Sequence, residues 1–411
     1  LNGDITAEQD IAFTHDTDVT LAPDVTITSN DGAVTMQATV TGTGAAVDFT
    51  VNAESIIVTN IDTDGGVLSL TSTSGDITAA VLTSEAAAAG TITVNAANGL
   101  ITKGVTASGD VAAEISITAG GNYNLGGDIK AIGAVGAGAG ITLNTGRTTI
   151  GKGITATLET TGNTVAGDIS ITGAIDGDGT TADTENLTLI ANQANITIND
   201  AIGGIVALNK VTITIDDNAA GDAEVLSLGG SITATDIELA TVTSEVTLAG
   251  DVTLTSTNND VELQNAVDID ATTAGVEGLA ISNGSGAVSL PVVGGTTPLD
   301  FLTVTTDGAT TLDGDITTVN AIDMSAATVG ITITADRIIN STAGSIDLSG
   351  SNIAPTGADS LTVGSATTTG VRLAGIGQTG PVDSVTVNSV NGATLTGNIS
   401  TTTTAEIIGV T

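Results

Sequence analysis

The sequence predicts an all-β solenoid, parallel coils of about 20 residues stacked one on another. Three observations predict it. The composition forms strands yet lacks aromatic residues, a short Gly-Asp-Ile phrase recurs along the chain, and aliphatic residues alternate with Thr in short runs.

Composition comes first. The 411 residues include three Phe, one Tyr and no Trp, so aromatic rings cannot anchor a core. Apolar residues still make up 40%, chiefly Val, Ile, Leu and Ala, punctuated by 53 Gly and abundant Thr. β-Branched side chains suit a pleated sheet, whereas Gly and Thr disfavour helix. Disorder is the rival reading for an acidic chain rich in Gly and Thr. Positive mean hydropathy and regularly spaced aliphatic residues oppose it, because disordered segments lack the apolar surface that offsets ordering entropy.

The recurring phrase is Gly, a small polar residue, then Ile or Val. It reads GDIT at Gly3 and Gly75, GDVA at Gly109, GDIK at Gly127, GDIS at Gly167, GSIT at Gly230 and GDVT at Gly250. It returns as GDIT at Gly314, GSID at Gly344 and GNIS at Gly397. The spacings are 72, 34, 18, 40, 63, 20, 64, 30 and 53 residues, and five of the nine lie within four residues of a multiple of 20. Between the phrases sit segments such as Val25-Thr26-Ile27-Thr28, Ile196-Thr197-Ile198 and Val211-Thr212-Ile213-Thr214-Ile215. Alternation with period two, bounded by Gly, Asn and Asp, reads as half-buried strands with aliphatic residues inward and Thr outward in ladders. Ile196, Ile198, Val211, Ile213 and Ile215 are expected in the core. Gly and Asn are expected at corners, where positive φ is needed. Twenty such coils at the inter-strand spacing would build a rod on the order of 100 Å long.

A longer repeat marks the C-terminal part. PLDFLTVTTDGATTLDGDITTVNAIDM from Pro298 is echoed by PVDSVTVNSVNGATLTGNISTTTTAEII from Pro381, and DSLTV at Asp359 begins a partial copy. Four of the five Pro fall here, which places a change of repeat type near residue 290: degenerate GDIT-type coils over 1–290, and a Pro-containing continuation over 291–411.

The GDIT phrases and the LTVTTDGATTLDGDITT-like segments resemble, in repeat style, the repeat regions of large bacterial filamentous-haemagglutinin-like surface proteins and adhesins. The resemblance extends over most of the chain. It implies a parallel right-handed β-helix with an exported, adhesive or structural duty.

Charge and cysteine content bound the function. Forty-six acidic residues face seven basic ones, for a net charge of −39. Phosphate backbones and anionic membranes are bound through clustered Lys and Arg, and here the cations are scattered singly. Nucleic-acid binding is therefore excluded. No apolar run of about 18 residues is present to span a membrane. The absence of Cys excludes thiol catalysis and thiolate metal sites. It fits an exported prokaryotic surface protein whose stacked sheet needs no disulfides. The chain opens at Leu1 with no signal-like segment, as a processed chain or a slice of a longer one does.

Candidate chemistry is sparse. Gly146-Arg147-Thr148-Thr149-Ile150-Gly151-Lys152-Gly153 follows the phosphate-loop pattern up to its last place, where Gly153 replaces the magnesium-binding Ser or Thr. The alternating Ile154–Leu158 stretch then reads as a strand where that loop needs a helix. The Gly136–Gly140 run lacks the last Gly of a dinucleotide fingerprint. His15, the single histidine, sits in an acidic turn. Close acidic pairs are the remaining option, among them Asp216 with Asp217 and Asp268 with Asp270. Asp62 with Asp64 and Asp176 with Asp178, each beside Gly, are the candidate calcium ligands, since calcium takes carboxylates and turn carbonyls. A carbohydrate-cleaving β-helix would need a groove with basic groups and aromatic platforms. The expectation is a non-enzymatic extracellular or cell-surface protein that associates with itself head to tail in a fibre or layer. The alternative is an adhesin rod that binds a cell, matrix or polysaccharide surface. Repeat sequence runs to both ends without an evident cap, which favours the first reading.

Overall fold

Every regular element in the computed structural model is a β-strand, and the description excludes residues 15–16, 44–45, 87–89, 110–112, 134–139, 162–166, 180–183, 217–223, 243–244, 258, 264 and 409–411. The chain is a parallel β-solenoid of about 16 turns with about 23 residues per turn, so the coil is somewhat longer than the expected 20. It divides into two compact units, one of residues 1–209 and 214–224, the other of residues 210–213 and 225–411.

In the first unit each coil contributes strands to three parallel stacks. The first stack runs from Ile5–Ala7 through Val25–Ser29, Phe49–Ala53, Val67–Ser72 and Thr91–Ala96 to Ile196–Ile198. The second includes Ile11–Phe13, Ala33–Met36, Ser55–Val58, Ile77–Thr78 and Leu100–Thr102. The third includes Val19–Leu21, Val40–Gly42, Ile61–Asp62, Val81–Ala86 and Gly104–Gly109. Two long strands, Glu114–Leu125 and Gly140–Ile150, serve the first and second stacks together, with register shifts at Ala119/Asn122 and Asn144/Arg147. The second unit has the same plan. Its stacks hold, for example, Val225–Leu228 with Glu245–Leu248, Val252–Ser256 with Leu279–Asn283, and Val261–Glu262 with Val288–Leu290. The expected change of repeat type near residue 290 falls within this unit.

Stacking in register explains the amino-acid usage. Ile27, Val51, Leu70, Val94, Ile117, Leu143, Ile171 and Ile198 lie one above another, and all are buried. Each rung meets a side chain of its own kind at the inter-strand spacing of about 4.8 Å, so branched aliphatic residues fill the interior without rings. Ile196, Ile198, Val211, Ile213 and Ile215 are likewise fully buried, as their alternation predicts. Phe49 and Tyr123 are the exceptions in size. Tyr123 stands between Leu100 and Thr148 in the second stack, its hydroxyl 2.7 Å from the Thr102 hydroxyl.

The Gly-Asp-Ile phrase marks corners. It introduces the first stack at Gly3 and Gly167, the second at Gly75 and the third at Gly127. Its spacing therefore mixes whole coils with fractions of a coil, which is why it pointed to 20 residues. At Gly127 and Gly314 its glycine is required for a reason other than the expected positive φ. At Gly127 a Cβ would lie 1.9 Å from the carbonyl oxygen of Lys103, and at Gly314 it would lie 2.1 Å from the amide nitrogen of Val292. The previous coil passes so close at the corner that only hydrogen fits. The non-glycine residues with left-handed backbone, among those described, are Asp64 and Gln193, not Asn.

Replacing Ile117 by Asp should cost more than about 4 kcal/mol, because the ladder offers a buried carboxylate no partner. Denaturant titration measures this, and melting like the wild type would show that Ile117 does not face inward.

Candidate functional site

The chemistry-bearing side chains of this chain are carboxylates, and most of those at corners have one task. The residue just before the first inward aliphatic of a strand accepts, through its side chain, the backbone N–H of the residue opposite it in the next coil. Asp4 accepts from Thr26 (2.8 Å), Asp10 from Ala33 (2.8 Å), Asp48 from Val67 (2.8 Å) and Asp76 from Gly99 (2.9 Å). In the second unit Asp251 accepts from Gly278 (2.9 Å), Asp260 from Ala287 (2.7 Å) and Asp315 from Ile338 (2.9 Å), and Asp336, placed before Arg337, accepts likewise from Ser360 (2.7 Å). Asn60, Asn352 and Ser231 fill the same place at 3.3, 3.1 and 3.0 Å. The side chain adds one rung to the backbone ladder where the corner would otherwise leave an amide unpaired. The small polar residue of the recurring phrase is thus an acceptor aimed at the next coil. The signal was present in the phrase itself, where Asp, Asn and Ser alternate and share only an accepting oxygen.

The proposed calcium ligands lie in two separate turns. Asp62 ends the strand Ile61–Asp62, and its carboxylate accepts the Asp64 amide at 3.0 Å. Asp64 has φ 53° and is followed by Gly65 at φ 89°, while the buried Thr63 hydroxyl closes the turn on the Gly66 carbonyl at 3.1 Å. Asp176 is fully buried at the end of the strand Ile169–Asp176. Its Oδ2 takes the Arg147 Nε–H at 2.7 Å, and its Oδ1 takes the Ile205 and Val206 amides at 2.8 and 3.2 Å. Asp178 follows Gly177, and the carboxylate beside that glycine is the buried Glu185. Among the described residues no group of three or more Asp, Glu or His gathers with metal-binding geometry.

The phosphate-loop look-alike is a strand and a turn. Residues up to Ile150 belong to Gly140–Ile150, Gly153 turns the chain at φ 68°, and Thr155–Thr161 continues as a strand. The Gly153 amide donates to Glu185 Oε1 at 3.0 Å, so the turn binds a carboxylate of its own unit. His15 and most of the Gly136–Gly140 run lie outside the described residues.

One acidic patch sits on the outer face of the second unit, lined by Lys210, Asp236, Glu238, Asp260 and Glu262. Glu238 and Glu262 are directly opposite each other in register. Lys210 answers this with ion pairs of 2.9 Å to Asp236 and 2.6 Å to Glu238. Its ammonium is held above the ordinary value, foremost by the hydrogen bond to Glu238. The Glu262 carboxyl is pushed up by burial, then by Glu238, Asp260 and Asp236. Asp268 is raised in the same way, by burial first and then by Asp270.

Comparisons with protein-family models, curated proteins and solved structures find no match to this chain. Among the described residues no helix is long and apolar enough to cross a membrane.

Removing a corner acceptor should loosen the coil above it. Asp251→Ala is expected to cost about 1 kcal/mol, and Asp251→Asn to recover most of that, since Asn60 and Asn352 already fill this place. Thermal melts of the two variants decide it, and equal losses would show that charge matters here and not the accepting oxygen.

A folded-state value raised above the unfolded one means that the native protein holds its proton longer. Glu262 therefore adds stability as pH falls through the carboxylate range and withdraws it as pH rises. Glu262→Gln should melt higher than wild type at neutral pH, with the gain shrinking towards about pH 4. Paired melting curves across that range test the sign.

Proposed function

We propose that this protein is a non-enzymatic, extracellular structural protein, a subunit or segment of a self-assembling surface fibre or layer built by end-to-end association. The observation that carries the reading is the uniform joint between coils. Within each unit, successive described coils meet through parallel ladders with aliphatic rungs, and many corners carry a side-chain acceptor, so the edge of one coil is a template for another. The strand Thr401–Ile408 is paired along Val382–Asn388, and most of its side chains are exposed. At the other end of the same stack the strand Ile5–Ala7 is paired along Val25–Ser29. Strand addition between such edges is heterologous and does not close, so it propagates.

Several aromatic and basic residues that could equip a catalytic groove are engaged in the coils. Phe49 and Tyr123 are buried, Phe301 packs over Gly278, and Arg147 is bound to Asp176. Absence of Cys, the strong negative charge and the resemblance to surface-protein repeats favour an exported location. An adhesive rod is the second reading, and the ordered hydroxyl and amide face described below favours it.

Sedimentation velocity with negative-stain imaging tests the assembly. The full chain is expected to form end-to-end oligomers that lengthen with concentration. Deleting residues 401–411 should abolish them while leaving far-UV circular dichroism and melting nearly unchanged. A full chain that stays monomeric at high concentration would overturn the proposal.

A further inference from the structure

The outward side of the first unit's first stack carries an order that the inward ladder does not require. At two outward positions per strand, every coil from Val25–Ser29 onward presents only Thr, Ser or Asn. In register, residues 50–52 read TVN, 69–71 SLT, 93–95 TVN, 116–118 SIT, 142–144 TLN, 170–172 SIT and 197–199 TIN. The middle residue is always the buried rung. Over these seven coils the flanking pair alternates between Thr with Asn and Ser with Thr, so the surface repeats every second coil, about 9.6 Å, while the coil before them presents Thr26 and Thr28. The two columns stand about 6.7 Å apart along each strand. Neither carries a charge in a chain of net −39.

Within the protein this pattern is only partly used. Asn199 donates to the Thr172 hydroxyl at 3.3 Å, whereas the side-chain amides of Asn52, Asn95 and Asn144 make no hydrogen bond among the described residues. Asn52 and Asn95 are half-exposed and Asn144 is exposed, each amide offering two donors and an acceptor outward at the two-coil interval.

We propose that this face binds an extended, neutral, β-1,4-linked polysaccharide lying along the coil axis, one sugar per coil. In such a chain successive sugars are flipped, so its hydroxyl pattern repeats every two units. A surface alternating Thr-x-Asn with Ser-x-Thr meets each flipped sugar with its own pair of groups. The missing charge on the columns suits a neutral partner, and the negative surroundings repel an acidic one. Ordered water is served less well: a hydrogen-bonded tetrahedral lattice places next-nearest oxygens about 4.5 Å apart, which calls for identical coils and not alternating ones. The binding does not rest on end-to-end assembly, and each can fail without the other.

Co-sedimentation of the full chain with microcrystalline cellulose tests the proposal, with starch granules and insoluble calcium pectate as comparisons, at a concentration where velocity sedimentation finds it monomeric. Retention on cellulose alone is expected, and the triple variant Asn52→Ala, Asn95→Ala, Asn144→Ala should bind roughly tenfold more weakly with an unchanged melting temperature. Asn340→Ala with Asn388→Ala, in the second unit, should bind as wild type. Failure to bind cellulose, equal binding by the triple variant, or ice shaping in place of polysaccharide binding would overturn the proposal.

Discussion

Backbone hydrogen bonds between successive coils fix an interval of about 4.8 Å, and every residue thereby acquires its counterpart one coil on as a permanent neighbour. That single constraint selects the composition. An inward position must tolerate its own kind above and below, so Ile, Val and Leu recur, and the buried Tyr123 needs the Thr102 hydroxyl to satisfy its own. A corner must let two backbones pass almost in contact, so Gly127 and Gly314 stand where a Cβ would collide with the coil beneath. A strand entry must satisfy an amide that the ladder cannot reach, so an accepting side chain stands there.

The same interval makes charge a problem that each coil settles locally. A carboxylate at a corner finds an amide to bind and is useful. Where strands carry carboxylates at matching positions, one carboxylate finds another opposite it, as Glu238 does in Glu262 and Glu245 does in Asp268. Lys210 relieves the first pair, while Glu262 and Asp268 respond by holding their protons more firmly. Asp176 shows the other solution. It is removed from water altogether and surrounded by a guanidinium and two amides. Such a carboxylate stabilises only with its full partner set, because losing one partner leaves a buried charge uncompensated.

Repetition also separates the two faces of each strand. The inner face must be apolar and admits little variation. The outer face is free of that demand, so an alternation such as Thr-x-Asn with Ser-x-Thr is not imposed by the apolar core. A periodic solid or polymer is the natural partner for a periodic surface. The uniform coil joint is equally suited to extension along the axis. Both proposals rest on one geometry, the parallel stacking of coils in register.

By itself the sequence determined the class of fold, the strand segments and their inward residues, because period-two alternation and the lack of helix-supporting stretches are local properties of the chain. It also located the corners, through the Gly-Asp-Ile phrase. It did not determine what the phrase does, nor which residues share a column. Both depend on contacts between residues one coil apart, and coil length varies from 19 residues, between Phe49 and Leu68, to 31, between Leu158 and Leu189. A phrase that can introduce any of three stacks cannot reveal that count. Only the closed coils decided that Asp76 meets Gly99, that Arg147 meets Asp176 and that Asn95 lies between Thr71 and Thr118. Register across a parallel stack is set by how much chain each turn consumes, and no local pattern records it.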